Sequence, residues 1–122
     1  MTENRRGAFR KYDLKRRTTE FGKAVILFAR TLKQDPVMAP LTEQFVDAGT
    51  SVGANCREAD NAESRKDFHH KVCICRKEAD ETKYWIQMIA TAQPSARAGA
   101  RPLWQEAKEL HLIFCSIANK TR

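Results

Sequence analysis

Residues 64–94 read SRKDFHHKVCICRKEADETKYWIQMIATAQP, and the spacing inside this stretch decides the fold. Phe68, Val72, Cys75, Ala79, Thr82, Ile86 and Ile89 recur at alternating steps of four and three. That is the period of a helix laying one apolar stripe against a core. Ser64 with Asp67 three residues on resembles a capping box, in which hydroxyl and carboxylate serve amides that the first turn leaves unpaired. Pro94 sets the other end, because the residue ahead of a proline is driven out of helical backbone geometry. The stretch predicts a helix over 65–92.

The same spacing continues on both sides. Leu14, Thr18, Phe21, Val25, Phe28 and Leu32 predict a helix over 13–34. After the break at Asp35 and Pro36, Leu41, Phe45, Ala48, Val52, Asn55 and Ala59 predict another over 39–59, with Pro40 in its first turn. Residues 93–101 are small and polar and read as a flexible connection, and Pro102 then opens a helix over 102–119 through Leu103, Ala107, Leu110, Phe114 and Ile117. No stretch alternates apolar and polar with period two, so strands have little support. The expectation is an all-α, antiparallel up-and-down four-helix bundle over 13–122, preceded by a basic arm at 1–12.

A chain of 122 residues, 42% of them hydrophobic, suits a single core and excludes a disordered class. The longest apolar run, Ala24 to Ala29, falls far short of the roughly 20 residues that span a bilayer, and the basic N-terminus has no signal-like apolar segment. A soluble cytoplasmic protein with Cys56, Cys73, Cys75 and Cys115 reduced is expected. The run at 24–29 is apolar all round, and Ile74, Trp85 and Met88 add a second stripe beside the long helix's seam, which predicts an oligomer interface. Gly49 and Gly53, with Ala48, Ser51 and Ala54, predict a smooth surface on which another helix approaches closely.

The net charge is +7, of which residues 1–17 carry +5: Arg5, Arg6, Arg10, Lys11, Lys15, Arg16 and Arg17 against Glu3 and Asp13. Such an arm can neutralise phosphates without reading bases, with Phe9 and Tyr12 available for stacking. The structural alternative is a frayed, solubilising terminus. Ser51, Asn55 and Glu58 share one helical stripe, and Glu78, Glu81 and Trp85 another. Polar groups at core-side spacing need partners, and a hydrogen-bond network fixing helix register and assembly is the favoured reading over a binding surface at the bundle or oligomer axis.

A di-iron bundle asks for two Glu-x-x-His pairs. This chain offers only Asp67-Phe68-His69-His70, and His111 has no carboxylate three residues before it. His69 and Cys73, spaced i and i+4, would hold a zinc only between subunits. No metal, no cofactor and no enzyme activity are expected, since neither a phosphate-cradling glycine loop nor a nucleophile with a base stands out.

Asp13-Leu14, Ser51-Val52-Gly53-Ala54-Asn55 with Glu58-Ala59, Ser64-Arg65-Lys66-Asp67-Phe68, Lys77-Glu78-Ala79-Asp80-Glu81-Thr82 with Tyr84-Trp85, and Glu106-Ala107-Lys108-Glu109-Leu110 stand in that order in a known family. Over residues 13–118 the chain resembles the four-helix bundle proteins of the ribosomal RNA intervening-sequence family. The resemblance implies a left-handed up-and-down bundle assembling as a homopentamer, with no established enzyme activity. His69-His70 departs from the family pattern, which more commonly has an apolar residue after the phenylalanine. The chain is also similar in architecture to the accessory variability determinant proteins of diversity-generating retroelements, basic pentamers that associate with nucleic acid and a reverse transcriptase. The resulting expectation is a non-enzymatic oligomer that associates with nucleic acid, RNA ahead of DNA, with a protein partner of the reverse-transcriptase type. The competing expectation is a structural or protein-interaction scaffold with no nucleic-acid role.

Overall fold

The computed structural model describes the backbone from residue 3 and the side chains of residues 9–122. Among the described residues five α-helices follow one another: α1 (Glu3–Tyr12), α2 (Leu14–Ala29), α3 (Met38–Asp60), α4 (Arg65–Ala92) and, after a 3-10 turn at Pro94–Ala96, α5 (Arg97–Lys120). No strand occurs among the described residues. α2 packs on α3, α3 on α4 and α4 on α5, while α5 returns to α2, so one core lies inside a helical bundle.

The seven seam positions read from the long central helix are the buried residues of α4. Among them Thr82 stays compatible with an apolar seam because its hydroxyl donates to the Glu78 carbonyl at 2.7 Å, as the Thr18 hydroxyl donates to Leu14 at 2.6 Å. Ser64 accepts the Asp67 amide at 3.0 Å and starts the helix where the capping pattern places it.

Three expectations are corrected. Residues 93–101 are not a flexible connection, since α5 begins at Arg97. Alanine and arginine there are strong helix formers, and Pro102 sits inside the helix rather than at its start. The first long helix ends at Ala29, not at 34. Past Ala29 the chain leaves the helical pattern: the Thr31 amide and hydroxyl both donate to the Phe28 carbonyl, at 3.0 and 2.7 Å, and the Lys33 amide donates to the Gln93 side chain at 3.0 Å; the Asp35 carboxylate then accepts the Val37 and Met38 amides at 2.9 and 2.8 Å at the start of α3. On α3 the buried seam residue is Cys56, while Asn55 is half-buried. The turn follows from close packing: a Cβ on Gly49 would lie 2.7 Å from a Val25 methyl, and one on Gly53 would lie 3.1 Å from the Thr18 carbonyl oxygen. Finally, within the stretch read as a basic arm, residues 3–12 form α1. Phe9 is buried, its ring centroid 5.6 Å from that of Phe68 on α4, and Asp13, with φ 50° and ψ 49°, turns the chain between α1 and α2. No helix is long and apolar enough to cross a membrane among the described residues.

Candidate nucleic-acid interface

The cations read as a phosphate-binding arm are interleaved with carboxylates. Lys15 pairs with Asp60 at 3.1 Å and Arg16 with Asp13 at 2.6 Å. Arg17, half-buried, donates to both oxygens of Glu106 at 2.7 and 2.6 Å and to Glu109 at 3.2 Å, clamping α2 to α5. Hydrogen bonding to Glu106 raises its pKa above the ordinary arginine value. Lys11 lies 5.4 Å from the Tyr12 ring centroid, and Arg10 is exposed beside a cleft of about 540 Å³ that Asp13 and Asp60 also line. The side chains of Arg5 and Arg6 lie outside the described residues. Carboxylates this close weaken the attraction of these cations for a phosphate.

A different surface combines cations with a half-buried aromatic side chain. Arg97, Arg101 and Trp104 follow one another on α5 at i, i+4 and i+7 and line a groove of about 360 Å³ against Ile86, Gln87 and Ala90 of α4. No carboxylate lines this groove among the described residues. The Trp104 ring is half-buried, with Lys83 and Lys108 ammonium groups 5.7 and 5.6 Å from its centroid. Lys83 is also held by Asp80 at 3.3 Å. An apolar-floored slot with one indole and two guanidinium groups suits a planar ring carrying an anionic group. Sequence reading missed it because the Arg97–Arg101–Trp104 spacing has meaning only on a helix, and two of these three residues were assigned to a loop.

The signature polar residues divide between contacts within their own helix and one contact between helices. Ser51 donates to the Asp47 carbonyl at 2.6 Å and Asn55 to the Ser51 carbonyl at 2.9 Å, both on their own helix. Glu58 bridges α3 to α4 by accepting from Lys71 at 3.1 Å. Phe68 is a core residue, Glu81 is exposed, and Trp85 stands edge-on to Tyr84 with centroids 4.9 Å apart. Burial, aided by the charge of Glu81, raises the Glu78 carboxyl pKa despite Lys77 at 3.8 Å. The folded state then takes up this proton more readily than the unfolded chain, so ionised Glu78 weakens the fold above its folded pKa and not below its unfolded one. Glu78→Gln is expected to raise the melting temperature at pH 7 by about 1–3 °C, a gain that disappears near pH 3.5. Melting curves at both pH values check it, and an equal shift at the two would refute the assignment.

Burial also pushes the Cys56 thiol up to about 11 and raises Cys75 further, leaving both unreactive.

The class defined by these features is an all-α helical bundle with a cationic, aromatic groove between two of its helices. The chain belongs to the family of 23S rRNA-intervening sequence proteins, whose family model matches residues 10–116. It is similar to the solved structure of a protein of unknown function from the S23 ribosomal protein family of Bacteroides thetaiotaomicron, at 30% identity and a TM-score of 0.77, over 86% of this chain and 97% of that one. No curated protein matches the chain significantly.

Proposed function

We propose that this protein is a non-enzymatic, cytoplasmic nucleic-acid-associating bundle that prefers RNA to DNA and takes it in the α4–α5 groove. The observation that carries the reading is the set of Arg97, Arg101 and Trp104 on one groove lined by no carboxylate among the described residues. Guanidinium groups supply the salt-sensitive phosphate attraction, and the indole supplies a stacking surface that single-stranded bases can reach. The family's description, which refers to 23S rRNA, agrees with the choice of RNA. In the same reading α2–α5 form a left-handed antiparallel up-and-down four-helix bundle, and copies assemble as a homopentamer through exposed apolar residues such as Ile26 and Leu27, the latter 66% exposed. Five grooves on one assembly would sum weak contacts. A reverse-transcriptase-like chain is the protein partner this reading admits.

Fluorescence anisotropy with labelled single-stranded RNA, structured RNA and duplex DNA at about 50 and 200 mM salt tests it. The expected result is tighter binding to RNA, falling steeply with salt. Arg97→Gln with Arg101→Gln should lower the salt slope by about 2, and Trp104→Ala should weaken single-strand binding roughly 5- to 100-fold. Affinity unchanged in these variants sinks the groove assignment. Absence of binding even at the lower salt transfers the protein to the scaffold reading, which the exposed Ile26 and Leu27 favour.

A further inference from the structure

Several cations on the bundle are held by carboxylates: Lys15 by Asp60, Arg17 by Glu106 and Lys71 by Glu58. Arg97 and Arg101 are exposed, share one groove and have no carboxylate beside them in it among the described residues. Four residues apart on α5, they project side by side, with Cβ atoms about 5–6 Å apart, so both guanidinium groups can reach one anion.

The groove has a closed end and an open one. His111 contacts the Arg76 carbonyl and Thr121 contacts His69, so α5 runs back along α4. Arg97 is the first residue of α5, Thr91 is the last but one of α4, and the turn Pro94–Ala96 joins the two helices beside them. The walls therefore meet at the Arg97 end. The other end leads past Trp104 to Lys83 and Lys108, whose ammonium groups flank its ring. A strand lying in the groove continues past Trp104 and stops at the turn.

Size and charge point the same way. At about 360 Å³ the groove is at the small end of the roughly 300–1,000 Å³ range of ligand sites, and it carries one indole, so it seats one base. Three residues separate Arg101 from Trp104, a rise of about 4.5 Å, so a phosphate at the arginines and a base on the indole belong to one nucleotide. A phosphate inside a strand carries a single charge. A terminal phosphate monoester carries about −1.5 to −2 near neutral pH and has three acceptor oxygens, a match for two guanidinium forks.

We infer that the groove binds the end of a single-stranded RNA that bears a terminal phosphate monoester. Arg97 and Arg101 hold the phosphate, Trp104 stacks the end base, and Lys108 lies where the strand leaves. This rests on the groove being the nucleic-acid site proposed above, and adds that it takes an end rather than a tract.

Anisotropy with one internally labelled RNA sequence tests this on the full-length protein at about 50 mM salt. The strand is prepared with hydroxyl groups at both ends, with a 5′-phosphate, with a 3′-phosphate, and as a closed circle. The expected result is binding roughly tenfold tighter, or more, for a phosphorylated end than for the hydroxyl or circular strand, the gain that charge-assisted hydrogen bonds supply. Comparison of the two phosphorylated strands identifies which end is taken. Arg97→Gln with Arg101→Gln should erase that advantage, whereas Trp104→Ala should weaken phosphorylated and hydroxyl strands alike. Equal affinity for all four strands, still lowered by the arginine variant, overturns the end preference and leaves the groove as the nucleic-acid site. Affinities that none of these substitutions alters overturn the groove and the end preference together. Adenosine 5′-monophosphate competing as tightly as the phosphorylated strand would overturn the strand end in favour of a free nucleotide.

Discussion

Phe68→Ala is expected to cost about 3–5 kcal/mol of folding stability, the range for removing a fully buried phenylalanine ring. Phe68 has no exposed surface, lies on the central helix α4, and is the residue against which Phe9 of α1 docks. The truncation opens a cavity in the core and removes the seat of α1 together. For a chain of this size each kcal/mol corresponds to roughly 3–5 °C, so the melting temperature should fall by about 10–20 °C. Phe9→Ala separates the two effects: it should release α1 while leaving the α2–α5 core folded. Limited trypsin digestion then cuts faster after Arg10 and Lys11 in Phe9→Ala, with the remainder resistant. A Phe68→Ala variant melting within a few degrees of the parent protein would show that the ring is not fully enclosed.

The second large effect is at Gly49. Alanine in a helix interior ordinarily gains about 1 kcal/mol over glycine. Here the new Cβ would stand 2.7 and 2.8 Å from the two methyl carbons of Val25, a fully buried β-branched side chain with little rotamer freedom. Overpacking outweighs the propensity gain, and Gly49→Ala should lose about 1–3 kcal/mol. The cause is separable by a double-mutant cycle: with Val25→Ala already in place, Gly49→Ala should cost nothing or stabilise, a coupling of about 1–3 kcal/mol. Gly22→Ala, whose Cβ meets nothing closer than 3.7 Å, should stabilise by about 0.5–1 kcal/mol. Strict additivity of Val25→Ala and Gly49→Ala in chemical denaturation would rule out the contact as the cause.

The long helix was legible because its signals agree: a cap, a period and a proline stop all fall on α4, and packing had nothing to override. Asn55 was misplaced because a four-three pattern takes no account of how closely a neighbour sits, and two glycines let α2 approach on the Cys56 side. α1 escaped detection for another reason. One buried aromatic in ten mostly polar residues makes no period, and only the tertiary contact with Phe68 reveals its role. The groove was hidden by an error of element type, since Arg97 and Arg101 become neighbours of Trp104 only when the backbone between them is helical.

The clamp of Arg17 on Glu106 and Glu109 bears on how any salt titration of this protein is to be understood. A half-buried, bidentate pair is screened far less than contacts between exposed charges and a phosphate backbone. Between about 50 and 200 mM salt the α2–α5 crossing therefore stays in place while intermolecular ionic contacts weaken. Ionic strength becomes a selective dial for this molecule: it turns association down and leaves the folded scaffold untouched, so a binding curve recorded across that range follows one equilibrium rather than two.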